Sequence, residues 1–309
     1  MSKHILITGA TGMVGRKLVP ALLALGHQVT ILSRNTTQFE GAKVFLWNVE
    51  RNEIDKNAFE GIDTIIHLAG ADIGEKKWTP ERKKEITDSR VESAKLLYRT
   101  IREIQAPVTS FISASAVGYY GDRKNEILTE DSDPGKGFLS ECCVKWEAAA
   151  DEGLSMGIRV VKVRIGLILS REHGLVAELE KPIRSFVGAP LGSGKQWVPW
   201  VHLDDVVKIF VTAVENPSFV GAYQACAPFP VTNKFMMKTI AGRVNRPIWG
   251  IHVPKFVLKA MLGEMSILPL MSSNTLARKL LDTGYKYVYT NLDAAIDSLY
   301  RPNRNRLQI

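Results

Sequence analysis

Apolar and polar positions follow two spacings along the first half of the chain. Ile5-Leu6-Ile7 is a short continuous apolar run, as in a strand buried on both faces, and it stops at Thr8. Arg16 to Leu25 carries its leucines and valine at helical spacing. Strand-like runs recur at His27 to Leu32, Lys43 to Trp47, Asp63 to Leu68, Val108 to Ile112 and Arg159 to Arg164. Between them, Pro80 to Glu103 opens with proline in the first turn of a predicted helix and places Ile86, Val91, Ala94 and Leu97 on one side of it. A further helix is predicted over Ser140 to Leu154.

Strand and helix thus alternate. That pattern predicts an α/β fold: a Rossmann-type, doubly wound parallel sheet with helices on both faces. Ligands of such sheets lie at the carboxyl ends of the strands, where residues 8–15, 68–70 and 113–121 should converge. From about residue 171 prolines from Pro182 to Pro269 break the chain into short elements. The expected organisation is a dinucleotide-binding domain over 1–170, to which 196–227 returns, and a smaller mixed substrate-covering part over 171–309. The tail Arg301 to Arg306 reads as exposed.

Composition narrows the function classes. The 309 residues are 45% hydrophobic and 23% charged, ordinary for a globular protein. No apolar run approaches the roughly eighteen residues of a membrane span, and the N-terminus has no signal-peptide pattern. Cys142, Cys143 and Cys226 show neither a disulfide framework nor metal-ligand spacing, so a cytoplasmic protein without a metal is expected. The net charge of +8 is dispersed, and its densest cluster, Lys76-Lys77 with Arg82-Lys83-Lys84, is interleaved with Glu75, Glu81 and Glu85. With no zinc finger, RNP-type pattern or basic zipper, nucleic acid is not an expected partner. Monomer and homodimer stay open, with 80–103 and 139–154 as candidate pairing helices.

The candidate chemistry begins at Thr8-Gly9-Ala10-Thr11-Gly12-Met13-Val14-Gly15. Glycines at 9, 12 and 15 between a strand and a helix permit a tight turn, backbone approach to a pyrophosphate and close strand–helix packing. The following helix N-terminus attracts the anion. After the second strand comes Leu32-Ser33-Arg34-Asn35, where an NAD-preferring protein carries Asp or Glu. Arg34 can clamp a 2′-phosphate and Ser33 can donate to it, so NADP(H) is expected over NAD(H).

These segments, with Leu68-Ala69-Gly70, Ser113-Ala114-Ser115-Ala116-Val117-Gly118-Tyr119-Tyr120-Gly121 and Trp200 to Val207, resemble the extended short-chain dehydrogenase/reductases. Arg34-Asn35, Trp78, Ser89-Arg90, Lys145-Trp146-Glu147 and Thr283-Gly284-Tyr285-Lys286-Tyr287 are similar to an atypical subgroup labelled nucleoside-diphosphate-sugar epimerases. Its members carry a small C-terminal domain of undefined role, here 250–300. The resemblance implies an oxidoreductase or epimerase-like enzyme that transfers hydride on a carbonyl or hydroxyl of a small substrate, nucleotide-linked or not. The alternative is a dinucleotide sensor that kept the clamp and lost catalysis.

The family's chemistry uses a Tyr-x-x-x-Lys pair, and the best-fitting segment here is Glu141-Cys142-Cys143-Val144-Lys145, with Glu141 in the tyrosine's place. The resemblance implies that Lys145 holds the nicotinamide ribose and that Ser115 polarises the substrate oxygen, with Ser113 competing for that role. Tyr119, Tyr120 or Glu141 would handle the proton. The cofactor residues implied are Gly9, Thr11, Gly12, Met13, Val14, Gly15, Ser33, Arg34, Leu68, Ala69, Gly70, Lys145 and Arg164, the last more structural than catalytic. In the loop Gly188 to Trp200, Lys195 can meet a diphosphate and Trp197 can stack on a ring. His202 with Asp204-Asp205 is read as a helix cap.

Overall fold

The computed structural model describes residues 2–171 and 174–300; the tail 301–306 lies outside them. The chain builds fourteen strands within the described residues: β1 His4–Thr8, β2 Gln28–Ser33, β3 Ala42–Asn48, β4 Glu53–Ile54, β5 Thr64–His67, β6 Ser110–Ala116, β7 Ile127–Leu128, β8 Arg159–Ile165, β9 Leu167–Leu169, β10 Trp197–Val198, β11 Trp200–His202, β12 Gly221–Ala225, β13 Val231–Thr232 and β14 Asn274–Thr275. The helices are α1 Met13–Ala24, α2 Pro80–Ile104, α3 Phe138–Asp151, α4 Leu175–Arg184, α5 Leu203–Glu215, α6 Asn233–Arg243, α7 Lys255–Leu262, α8 Ile267–Leu270, α9 Arg278–Asp282 and α10 Leu292–Tyr300.

Eight strands form the central sheet in the order β12-β8-β6-β5-β1-β2-β3-β4. Every neighbouring pair is parallel except β3 with β4. The order runs outward from β1 in both directions, so the crevice between β1 and β5 is the switch point at which doubly wound sheets take ligands. Side-chain alternation sorts β1 between the two faces. Ile5 and Ile7 join the core under α1 and α5, with Leu18, Leu22, Val206 and Phe210. Leu6 joins the opposite core, with Leu97, Tyr98 and Ile101 of α2 and Ala149 and Ala150 of α3.

Two differences from the expected elements matter for the site. The first helix starts at Met13 rather than Arg16, so Met13, Val14 and Gly15 are its first turn. Strand β6 continues through Ser113, Ala114 and Ser115 to Ala116, paired residue by residue with β8 up to Ala116–Ile165. Ser115 therefore lies inside a parallel ladder, opposite Arg164, and not in the loop beyond the strand.

The later part of the chain packs a third core, in which Val176, Leu179, Met236, Met237, Ala295 and Ile296 surround Val198 and Trp200. It is tied to the sheet through α5. The ring of His202 accepts from the Asp204 N–H at 3.1 Å, capping α5, and its other nitrogen meets the Ser298 hydroxyl at 3.1 Å. Burial drives the His202 pKa down to about 4, so the cap is a neutral imidazole. Asp205 accepts from the backbone N–H groups of Val288 and Tyr289 at 2.7 and 3.0 Å, anchoring the Thr283–Tyr289 segment on α5. No helix among the described residues is long and apolar enough to cross a membrane.

Candidate active-site cleft at the strand ends

The glycine loop is built for close approach. Gly9 has φ +71, and a Cβ there would stand 2.7 Å from the Leu68 carbonyl carbon and 2.8 Å from the Ala69 nitrogen. At Gly15 a Cβ would stand 2.5 Å from the Ala10 Cα, so α1 rests against the loop at backbone distance. The loop closes on itself through Gly12 N–H to the Gly9 carbonyl at 3.1 Å and Arg16 Nε to the Thr11 carbonyl at 2.8 Å. No side chain caps α1 at Gly12, which leaves its first N–H groups directed at the crevice. This donor set, with exposed Thr11 and Gly12, fits a dinucleotide pyrophosphate.

Flanking strand ends complete the crevice. At the end of β2, Ser33 is partly buried and Arg34 exposed, with the Ser33 hydroxyl accepting from the Asn35 N–H at 3.3 Å. At the end of β5, Leu68 and Ala69 run beside Gly9, Gly70 lies against Arg90, and the next residue, Ala71, donates its N–H to the Ser89 hydroxyl of α2 at 2.9 Å. Beneath them the buried ring of His67 bridges the Thr8 hydroxyl at 2.7 Å and the Ser93 hydroxyl at 3.0 Å. Burial lowers its pKa to about 4, so this bridge too is neutral.

Around Ser115 the structure brings together a buried polar cluster that the sequence reading had split. The Ser115 hydroxyl donates to Glu147 Oε1 at 2.7 Å. Both Glu147 oxygens accept from Arg164, at 2.8 and 2.9 Å. Arg164 also donates to the Tyr120 hydroxyl at 2.9 Å and the Glu130 carbonyl at 3.0 Å, and Gln224 donates to the same hydroxyl at 2.9 Å. Arg164 and Glu147 are 4% and 5% exposed, and Tyr120 is fully buried. Burial opposes the Arg164 charge, but the paired Glu147 carboxylate outweighs it and raises its pKa. Burial pushes the Tyr120 pKa up to about 12.

Three of the expected site residues lie in this cluster. The Ser115 hydroxyl is bonded to Glu147, the Tyr120 hydroxyl to Arg164 and Gln224, and Arg164 to Glu147, Tyr120 and the Glu130 carbonyl. Ser113 is likewise turned to the Ala114 carbonyl, at 2.8 Å. Tyr119 is different. Its ring, partly buried, lies 3.6 Å from the Arg164 guanidinium, and its hydroxyl has no bonded neighbour among the described residues.

Helix α3 places two more. Its buried residues are Ser140, Cys142, Cys143, Trp146, Glu147, Ala149 and Ala150, whereas Glu141, Val144, Lys145 and Ala148 are exposed. At about 100° per residue, Glu141 and Lys145 stand on the side away from Cys143 and Glu147, which face the sheet. The i, i+4 pair that meets the end of β6 is Leu139 and Cys143: a Cβ on Gly118 would lie 3.4 Å from Leu139 Cβ and 3.7 Å from Cys143 Sγ. Burial raises the Cys143 thiol to about 12, so neither residue of the pair exchanges a proton near neutrality. Lys145 and Glu141 are not brought to the crevice.

On the substrate side, Trp197 is held by Asn125 at 3.1 Å and by Ser272 at 3.0 Å, and Lys195 is exposed. A small apolar wall, with Phe138 and Leu139 of α3, Trp78, Ile73 and the C-terminal Met265 and Leu268, joins the later region to α2 and α3. Sequence reasoning gave no site role to Glu147, Glu130, Gln224 or His67, and it quoted Arg90 and Trp146 only within a resemblance.

A Gly-rich β1–α1 clamp on a parallel sheet with a C-terminal annex defines a nucleotide-binding α/β protein. The chain belongs to the NAD dependent epimerase/dehydratase family, whose model matches residues 5–226. A domain of unknown function (DUF1731) matches residues 253–299. The chain is 36% identical over 299 residues to an Arabidopsis thaliana chloroplastic homologue of epimerase family protein SDR39U1, covering 95% of this chain and 85% of that protein. It is 34% identical to epimerase family protein YfhF of Bacillus subtilis, covering 96% and 97%. Among solved structures it is similar to human epimerase family protein SDR39U1 with NADPH, at TM-score 0.83 and 30% identity, covering 96% and 98%. It also resembles a Corynebacterium glutamicum nucleoside-diphosphate sugar epimerase, at TM-score 0.78 and 32% identity, covering 96% of this chain; it spans 57% of that protein's length. A Thermotoga maritima UDP-glucose 4-epimerase, 16% identical at TM-score 0.77, shares the fold.

Proposed function

We propose that the chain is an NADP(H)-binding, epimerase-like oxidoreductase acting on a carbonyl or hydroxyl of a small, nucleotide-sugar-like substrate. The observation that carries this reading is the clamp itself: three glycines at positions where a Cβ would stand 2.5–3.3 Å from backbone, ahead of an uncapped helix N-terminus. The human relative was solved with NADPH, which agrees with Ser33-Arg34 standing where an acidic residue would select NAD. Gly9, Thr11, Gly12, Met13, Val14 and Gly15 would hold the pyrophosphate, Ser33 and Arg34 the 2′-phosphate, and Leu68, Ala69 and Gly70 the nicotinamide side. The bound nicotinamide would supply or accept hydride. Of the hydroxyls expected at the substrate, that of Tyr119 is the one neither sealed nor spent on a neighbour, and it takes the proton-handling role.

A sensing role without turnover is the second reading, favoured by Leu139 and Cys143 in the place where a Tyr–Lys pair would meet the strand end. Following the nicotinamide absorbance of NADPH while the protein meets a panel of sugar-nucleotide and small carbonyl compounds separates the two. Oxidation that is lost in Tyr119→Phe supports the enzyme. Bound NADPH that the panel leaves reduced supports the sensor.

A further inference from the structure

At the carboxyl ends of β5 and β6, two hydrogen-bond donors meet without acceptors to match them. Arg90 reaches from α2 over the end of β5, so that a Cβ on Gly70 would stand 3.0 Å from its guanidinium carbon. The guanidinium lies 4.9 Å from the centre of the Trp146 ring and donates to the Ile86 carbonyl at 2.8 Å. That uses one of the five N–H groups a guanidinium offers. Among the described residues Arg90 makes no ion pair, whereas Arg82, two turns earlier on the same helix, pairs with Glu75 and Glu85. The titratable groups around Arg90 are Asp72, Arg82, Cys142, Cys143 and the neutral His67, and burial lowers its pKa. Trp146 is only 7% exposed, and its Nε1–H is buried with no acceptor among the described residues.

A partly buried cation with no counter-ion among the described residues, beside a buried indole donor, calls for a ligand that brings acceptors and negative charge. The guanidinium fork matches a carboxylate or phosphate with two parallel bonds, and an aromatic face beneath it fixes its plane. Resting on the reading that NADP(H) lies along the strand ends, we propose that Arg90 and Trp146 form an oxyanion site for an acidic group of the substrate. The cofactor pyrophosphate has its own donors at the N-terminus of α1, over β1, whereas the Arg90 guanidinium lies against Gly70 and the Trp146 ring of α3. Arg90 supplies the positive charge there that the exposed Lys145 does not. The substrate class narrows to small carbonyl or hydroxyl compounds bearing a carboxylate or phosphate.

The test is calorimetric titration of the full chain, saturated with NADP+, with oxalate and with inorganic phosphate, in wild type, Arg90→Gln, Arg90→Lys and Trp146→Phe. Wild type is expected to bind one anion per chain, with at least about tenfold weaker binding in Arg90→Gln and an intermediate loss in Arg90→Lys and Trp146→Phe. NADPH affinity and melting temperature should stay within about threefold and a few degrees of wild type. Wild type binding neither anion, or Arg90→Gln binding as wild type does, overturns the proposal. If Arg90→Gln instead weakens NADPH itself about tenfold, the oxyanion belongs to the cofactor and the substrate assignment is overturned. If wild type binds no NADPH, the cofactor reading fails separately; oxalate binding to the ligand-free chain that disappears in Arg90→Gln still upholds the site.

Discussion

Replacing Glu147 with alanine removes the carboxylate on which Ser115 and Arg164 both converge. Arg164 stays 4% exposed and holds only Tyr120 and the Glu130 carbonyl, so a buried charge loses its counter-ion. Breaking such a pair from one side costs about 3–5 kcal/mol. At a few degrees per kcal/mol for a chain of this size, the melting temperature should fall on the order of 10 °C. Glu147→Leu/Arg164→Met should recover most of that loss, because an apolar pair of similar bulk needs no counter-charge. Ser115→Ala removes one hydroxyl donor and leaves the two Arg164 bonds, for about 1.5–3 kcal/mol. Thermal and urea unfolding followed by circular dichroism measures all three. A Glu147→Ala loss under about 1 kcal/mol refutes the buried cluster; so does a Ser115→Ala protein of undiminished stability that no longer oxidises NADPH, which would return Ser115 to the substrate.

Lys145→Ala, on the exposed face of α3, should leave stability within about 0.5 kcal/mol and NADPH affinity unchanged in the same titrations. Arg34→Ala should weaken NADPH about tenfold while sparing NADH, as fluorescence titration with both cofactors would show. Gly9→Ala should abolish NADPH binding in that assay and destabilise the fold, since the new methyl group meets the Leu68 and Ala69 backbone at a φ of +71. Burial lowers the His67 pKa from 6.5 to about 4, so between those values the unfolded chain binds the proton and the folded chain does not. Stability from this group is full above pH 6.5 and is lost as pH falls toward 4; His67→Gln should flatten that limb of a pH-stability profile by about 1.4 kcal/mol per unit.

The clamp was legible because its parts are contiguous: strand, three glycines and helix follow within twelve residues of His4. The alternating strands and helices gave the parallel sheet for the same reason, since each apolar run reports its own local period. In α3 one residue, Lys145, was taken to set the register of the helix. Leu139, Cys142, Cys143, Trp146, Ala149 and Ala150 already fall at i, i+3, i+4, i+7, i+10 and i+11, and that stripe places Lys145 outside it. Glu147 lies beside the stripe and reads as a surface charge until Arg164 is known to sit opposite Ser115 on β8. That partner is set by strand register, which no local pattern carries. The same holds for Gln224, which reaches Tyr120 across 104 residues of chain.

Calorimetric titration of the purified chain with NADPH and NADH tests the central claim most directly. The uncapped α1 N-terminus, the Gly9–Leu68 approach and Ser33-Arg34 together predict a one-to-one complex with NADPH and binding of NADH weaker by about tenfold or more. Equal affinity for the two, tighter binding of NADH, or binding of neither would contradict it.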